Sequence, residues 1–395
     1  MIVVTVAALF FTARGAFISS FAASRPDTIA RLAPSNMPAL RAQYRREMQA
    51  GVMKSAKQAI FAERARLSLL RNPLSVTGLS ILALQADASG AGLEHARLLM
   101  SAAERISRRD LLMQLWLIED RVRQEDVAGA LRHYDRALSI YPEAEPLLFP
   151  ILAGAVDTPD IRKGLFGYVK VRRPWVRSFL DFATGHAPPA ALAELLIEVD
   201  GGDRPSSFTR PFEAGLLRNA VAAQQFESAR VLARRLAKGM PREWQELVPS
   251  QASSAPDLQP LTWATSEDPA FQLQLDASGA VLDIGPEGQG IAIYRVIFPK
   301  PGTYRLVQQM SATDSEGLQG RWDFTCFGNT ASNIASLPAL PATATSSQIT
   351  IPAGCAAVRL ALVVGGIDRA SASEISFQRL ALVPQVSRAP APAGL

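Results

Sequence analysis

The stretch ARLLMSAAERISRRDLLMQLWLIEDRVRQEDVAGALRHYDRALSIYP, residues 96–142, decides how the chain is read. Ala96, Met100 and Ala103 return one 34-residue step later as Ala130, Tyr134 and Ala137, and the second copy closes with Leu138 and Pro142. A small, large, small set at i, i+4 and i+7 lies on one helical face. The alanines let a neighbouring helix come close, while the Met or Tyr fills the gap. The frame extends both ways. One step before Ala96 stands Ala62, followed by Leu69 at the third position and by Pro73, one residue short of the closing proline. Far downstream Leu216, Ala229, Ala233, Leu236 and Pro241 repeat it, Ala229 to Pro241 spanning the same separation as Ala130 to Pro142.

The pattern Ala130-x3-Tyr134-x2-Ala137-Leu138-x3-Pro142, with Leu115 and Leu117 on the preceding helix, resembles a tetratricopeptide repeat, whose period is 34 residues. It departs from that pattern at Gln114, where a large aromatic is expected, and at Ile118, where a small residue is expected. An irregular helical bundle is the alternative. The resemblance implies an α-solenoid in which the first helix of each pair lines a concave face. It places Leu112, Leu115, Glu119, Val122 and Arg123 there as partner-binding residues. Glu119 and Arg123 are also an i, i+4 pair, whose plain reading is a weak surface ion pair.

Outward from this stretch the helices alternate with short breakers, at 55–71, 75–87, 91–107, 109–123 and 126–140. In the first of these the apolar positions are Ala56, Ala59, Ile60, Ala62, Leu67 and Leu70, and Asn72-Pro73 ends it. Asp110 and the Gln124-Glu125-Asp126 turn offer capping side chains to the helices that follow. Between Pro142 and Pro211 the pattern becomes irregular, with helices expected at 176–183 and 190–199 and a loop at 201–207. Residues 25–248 are assigned to the solenoid.

Residues 249–260 hold three prolines and three serines, a linker composition. Beyond them, over 261–384, the hydrophobic period shifts from 3.6 to 2. Strands are expected at 271–275, 280–284, 291–298, 304–310, 321–326, 348–351, 357–364 and 374–382. Eight strands in so short a stretch make an antiparallel β-sandwich, a jelly roll. The segment Pro301-Gly302-Thr303-Tyr304-Arg305-Leu306 before a strand resembles the carbohydrate-binding-module type of jelly roll. So does the closing pattern Ile375-x-Phe377-x2-Leu380-x-Leu382-Val383-Pro384. The fold class is therefore α + β multidomain: a tetratricopeptide-like solenoid followed by a β-sandwich, with a flexible tail at 385–395.

At the other end, residues 2–11 are an uncharged apolar run, and 15–24 a second one beyond Arg14. A spanning helix needs about 20 predominantly apolar residues. Three readings stay open for 1–24: an uncleaved membrane anchor, a signal peptide lacking the usual leading positive charge, or a first buried helix of the array. The anchor is preferred, on the supposition that the true start lies upstream.

With 48% hydrophobic and 19% charged residues in 395, this is a folded chain of two or three domains. Its formal charge of +5 is uneven: from Pro256 onward eight basic residues face eleven acidic ones, so the surplus belongs to the helices. Such a surplus favours anionic lipid headgroups, an acidic polysaccharide or an acidic protein face. Nucleic acid is disfavoured, because the arginines are scattered through amphipathic helices without interleaved aromatics.

Cys326 and Cys355, the two cysteines of the chain, both fall in the sandwich and are expected to pair. A disulfide places the domain in an oxidising compartment; two separate buried thiols are the alternative. His95 and His133 read as exposed helical histidines, and His186 is the third. No metal-ligand, phosphate-loop or nucleophile-elbow spacing occurs. The acids Asp157, Asp160, Asp200 and Asp203 read as loop or cap residues, so neither a catalytic role nor a cofactor or metal is expected. Arg172, Arg173 and Trp175 suit an acidic sugar or peptide, although a helix-entry loop with a buried Trp explains them as well. Trp322 alternates with Phe324 and Cys326 and belongs to the core, whereas Trp263 is the freer candidate for a glycan contact.

By resemblance, bacterial chains of this kind are assembly scaffolds. The expected function is a non-catalytic scaffold, anchored in the inner membrane and facing the periplasm, that binds protein partners in envelope polysaccharide synthesis or export. A sugar-binding accessory role for the sandwich is the runner-up, and a cytoplasmic adaptor the third reading. Free thiols at Cys326 and Cys355 in freshly lysed cells would favour the third.

Overall fold

In a computed structural model, the described residues are Ser20, 24–33, 36–49, 55–88, 92–237, 247–248, 255–275, 280–313, 317–328, 331–340, 345–366 and 371–385. Residues 1–19 and 21–23 of the expected anchor, Pro241, residues 249–254 of the expected linker and the tail from 386 lie outside them. Among the described residues no helix is long and apolar enough to cross a membrane.

Thirteen α-helices precede ten strands among those residues. The helices are α1 (Pro26–Leu32), α2 (Met37–Gln49), α3 (Ser55–Arg71), α4 (Val76–Ala88), α5 (Leu93–Ile106), α6 (Leu111–Arg123), α7 (Val127–Ile140), α8 (Glu145–Ala155), α9 (Pro159–Lys170), α10 (Val176–His186), α11 (Pro189–Asp200), α12 (Arg210–Ala222) and α13 (Phe226–Leu236). The chain divides into two compact units, Met1–Ile151 with Lys163–Arg177 and Leu152–Arg162 with Ser178–Leu395.

In the first unit the small, large, small frame is core. Ala96, Met100 and Ala103 are fully buried, and they pack with Ala83, Met113, Trp116 and Leu117. Ala130, Tyr134, Ala137 and Leu138 are also buried. Both expected caps form: the Asp110 carboxylate accepts from Met113 N at 3.0 Å and the Asp126 carboxylate from Gly129 N at 2.8 Å. Each satisfies an orphan donor of the helix it opens.

The face expected for α3 is corrected. Ile60, Leu67 and Leu70 are 59%, 50% and 81% exposed, and the buried face is Phe61, Ala62 and Ala65. A helix with apolar residues on both sides has no unique moment, and contact with Leu40, Tyr44 and Ile81 selects the aromatic side.

One turn occurs three times among the described residues. Between α6 and α7, Glu125 takes a left-handed φ of 57° and Asp126 N donates to Arg121 O at 2.9 Å. Between α12 and α13, Gln224 takes φ 58° and Gln225 N donates to Ala220 O at 2.7 Å. After α9, Arg172 takes φ 54° and Arg173 N donates to Tyr168 O at 3.2 Å, outside the alanine frame. Glu125 and Gln224 stand at the same distance before Ala130 and Ala229, so the downstream copy of the sequence frame carries the same helix–turn–helix geometry.

In the second unit, α11 ends at Gly201, whose φ of 62° suits a residue without Cβ. The loop after it is pinned from below. Asp200 accepts from Thr209 Oγ1 at 2.6 Å and from Arg235 at 3.3 Å, while Arg235 also grips the fully buried Glu213 at 3.1 Å. Burial pushes the Glu213 carboxyl up, and the Arg235 guanidinium opposes that shift.

The strands form two antiparallel five-stranded sheets, ordered β1-β4-β9-β6-β7 and β2-β3-β10-β5-β8. They are β1 (Ala264–Thr265), β2 (Phe271–Leu275), β3 (Ala280–Ile284), β4 (Gly290–Ile297), β5 (Gly302–Thr313), β6 (Leu318–Phe327), β7 (Ala331–Leu340), β8 (Thr345–Ile351), β9 (Ala357–Gly366) and β10 (Ser373–Pro384). Trp322, Phe324, Leu360, Leu362, Ile375 and Leu382 meet between the sheets. The x2 spacing in Phe377-x2-Leu380 would flip a regular strand, but the register shifts between Phe377 and Arg379, so Leu380 and Leu382 stay inward. Two strands go beyond the expected eight, the two-residue β1 and the edge strand β7. The latter tolerates Pro338 because one side of an edge strand needs no ladder donor.

Helix α13 docks at one end of the first sheet. Phe226 sits 6.0 Å from the Phe298 ring and 5.7 Å from the Phe327 ring, and the Arg230 guanidinium lies 4.6 Å over Phe298. Residues 256–258 form a turn against α12 and α13, and Asp257 pairs with Arg210 at 2.5 Å.

Candidate functional site

Helix α6 carries the expected partner face. Leu112 and Leu115 are half-buried, Leu112 against the Leu40–Tyr44–Phe61 cluster, whereas Glu119, Val122 and Arg123 are exposed, Val122 by 61%. Arg123 lies 3.5 Å from Glu119 and 3.4 Å from Asp87, a carboxylate that also accepts from Trp116 Nε1 at 2.8 Å. Solvent screens such pairs, so they hold little folding energy and can exchange for an outside ion partner. The face thus divides: its first half is packing and its second half is surface.

Arg172, Arg173 and Trp175 come out differently. Arg173 makes a two-pronged contact with Asp135 at 2.7 and 2.8 Å, which pushes its guanidinium pKa up. Trp175 is 2% exposed and donates its Nε1–H to the same carboxylate at 2.9 Å. The acidic partner anticipated for this pair is Asp135 of the chain itself, and the indole is core. Arg172 is exposed with a left-handed φ of 54°.

Trp263 is likewise corrected from free platform to core. It is 4% exposed, stands 5.9 Å from Trp322 and donates Nε1–H to Leu247 O at 2.6 Å. Trp322 is fully buried, as its alternation implied. Its Nε1–H reaches across the sandwich to Gln308 Oε1 at 2.6 Å, and Gln308 passes its own amide N–H to Pro338 O at 3.0 Å.

Cys326 and Cys355 form a disulfide, with Cα atoms 5.5 Å apart. It ties the end of β6 to the segment entering β9, beside the contacts of α13: Ala356 N donates to Phe327 O at 2.7 Å, and Arg230 approaches Ala356 O at 3.4 Å. Closing this loop is worth roughly 3–4 kcal/mol in the chain-entropy model.

Two groups escaped the sequence reading. His133, expected to be exposed, is 2% exposed and bonds Gln114 Oε1 through Nδ1 at 2.8 Å. Burial lowers its pKa to about 4. Gln114 is fully buried and donates to Arg108 O at 2.9 Å, so the residue that departs from the repeat pattern is the one that holds the histidine. The second group lies on β6 and β7, where a cavity of about 530 Å³ is lined by Gln319, Arg321, Ser336, Leu337, Val363 and Gly365. Arg321 pairs with Asp323 at 3.0 Å, Ser336 donates to Asp323 at 2.7 Å and Asn333 to Ser336 at 2.8 Å. The outward alternation of Arg321 and Asp323 against Trp322 and Phe324 was the signal available for it.

No family model matches the chain, and no curated protein matches it. Similar solved structures overlap about a third of it. A carbohydrate-binding module described as "CBM4 structure and function" is 14% identical over 31% of this chain and 86% of that one, with a TM-score of 0.24. A chain from the accessory secretory protein 1, 2 and 3 structure of Streptococcus pneumoniae is 9% identical over 31% and 90%, TM-score 0.23. The TmCBM61 structure in complex with β-1,4-galactotriose is 11% identical over 31% and 88%, TM-score 0.23. Likenesses of this size carry no functional argument.

Proposed function

We propose that this protein is a non-catalytic scaffold whose helical region, built from tetratricopeptide-like repeats, binds a protein partner. The reading includes its anchoring at the inner membrane facing the periplasm, and a role in envelope polysaccharide synthesis or export. The observation that supports the scaffold is the recurrent turn: the same left-handed residue and backbone bond occur at Glu125 and Gln224, in register with the repeated alanines, and at Arg172 outside that register. A stacked repeat buries its alanine faces and leaves first-helix side chains for partners, and Glu119, Val122 and Arg123 fit that role. The Cys326–Cys355 bond supports an oxidising compartment.

A photo-activated cross-linker at Val122, used in living cells and followed by membrane extraction and mass spectrometry, tests the reading. Capture of polysaccharide-assembly or export proteins, lost on Arg123→Glu, is the expected result. Capture of abundant soluble proteins that the substitution does not change would sink it. Alkylation of Cys326 and Cys355 in freshly lysed cells would sink the periplasmic placement alone.

The polar cavity on β6 and β7 favours a second reading, a glycan-binding accessory role for the sandwich. Gln319, Arg321 and Ser336 line it with amide, guanidinium and hydroxyl groups, which match the donors and acceptors of a sugar ring. Equilibrium dialysis with acidic and neutral oligosaccharides, repeated with Arg321→Ala, decides it: binding that the variant abolishes supports the role, and no binding to any of them removes it.

A further inference from the structure

We propose that a cleft at the start of the helical region, walled by Arg41, Arg45, Arg46 and Thr77, is a binding site for a phosphate group. The cleft has a volume of about 730 Å³, and Met37 and Pro38 form its apolar side. Its charge is not balanced from within. Arg46 is held by Asp27 at 2.7 Å, and Arg41 Nη2 bonds Asp110, a 2% exposed carboxylate that already caps α6. Arg45 has no carboxylate partner among the described residues. Three guanidinium groups therefore meet two carboxylates, and one positive charge is left facing the cleft.

The donors are unbalanced too. Among the described residues Arg41 Nε is buried without an acceptor, an omission that costs about 1–3 kcal/mol if nothing fills it. Thr77 lies in the first turn of the 13-residue α4, where backbone N–H groups point out of the helix and its dipole favours an anion. Its hydroxyl is only 3.4 Å from Asp110, a long contact that a better acceptor would replace. Three donor side chains, Arg41 and Arg45 of α2 and Thr77 of α4, line one space, with the Arg41 Nε buried beneath its surface. A tetrahedral oxyanion offers acceptors in that many directions, whereas a planar carboxylate is satisfied by one fork. Free phosphate and the headgroup of an anionic phospholipid share this chemistry. The site does not depend on the scaffold reading.

The test uses the full chain in mild detergent and titrates it calorimetrically with inorganic phosphate. In parallel, flotation compares phosphatidylcholine vesicles with vesicles containing one quarter phosphatidylglycerol. Arg45→Gln breaks no ion pair among the described residues and is expected to weaken the phosphate interaction roughly tenfold. Thr77→Val is expected to weaken it roughly threefold. Arg105→Gln, on the exposed side of α5, makes the same charge change elsewhere and is expected to alter binding less than about twofold. Phosphate binding that follows this order supports a free-phosphate site. A preference for phosphatidylglycerol that Arg45→Gln removes, and inorganic phosphate competes away, supports a headgroup site. If neither probe distinguishes the wild type from Arg45→Gln, or if Arg105→Gln weakens binding as much, the site is overturned.

Discussion

Two buried side-chain pairs do the same structural job in different parts of the molecule. In the helical region Gln114 of α6 meets His133 of α7 at 2.8 Å, and in the sandwich Gln308 of β5 meets the indole of Trp322 on β6 at 2.6 Å. Both close a hydrogen bond across two packed elements where an unpaired polar atom would be costly. The difference is that one partner titrates and the other does not. The helical hairpin is therefore weakened when its histidine takes up a proton, whereas the sandwich core is indifferent to acid at this point.

The largest expected effect is on the sandwich side: Trp322→Ala should cost about 3–5 kcal/mol of stability through the cavity it leaves. Urea unfolding followed by tryptophan-independent circular dichroism measures it, and a loss under about 1 kcal/mol would show that the core collapses around the site. Next comes acid. His133 binds its proton near pH 4 in the folded state and at 6.5 when unfolded. The unfolded chain is thus protonated first, and stability falls as pH drops from 6.5 toward 4. The loss integrates to about 3 kcal/mol. Amide exchange in α6 and α7 at three pH values should show it, and His133→Gln should flatten the profile.

Gln308→Leu follows, at about 1–3 kcal/mol, because it strands both the Trp322 N–H and the Pro338 carbonyl. Its cost should be the same at pH 7 and pH 5, and a pH-dependent cost would contradict the contrast drawn between the pairs. Asp126→Ala closes the series at about 1 kcal/mol, the usual price of a lost helix cap; thermal unfolding resolves it.

Much of this was legible along the chain. Local chemistry wrote the caps at Asp110 and Asp126 and the alternation of Trp322, Phe324 and Cys326. Distant pairing was not legible. Nothing near Arg173 and Trp175 announces Asp135, which is 38 and 40 residues away in sequence; it pairs with the exposed Arg173 and fixes the buried Trp175 in the core. His133 gave no sign of burial, because its partner sits on the neighbouring helix at the position where the repeat pattern wants an aromatic. Pro150 inside α8 and Pro338 inside β7 broke the local signals for two elements that tertiary packing nevertheless keeps. The stretch of 142–211 read as irregular contains α8 and α9, regular helices whose apolar residues do not repeat in one frame.

The Cys326–Cys355 bond has a mechanical consequence. A pull on α13 enters the sandwich at Phe298, Phe327 and Ala356, at the spot where the bond fastens β6 to the approach of β9. The 29-residue separation between the two sulfurs would reel out about 100 Å of chain if it were free to extend. Oxidised, that length stays locked, so stretching a single molecule in an optical trap should give a shorter sandwich contour than after reduction, and the tether would tell an exported protein from a reduced one by its slack.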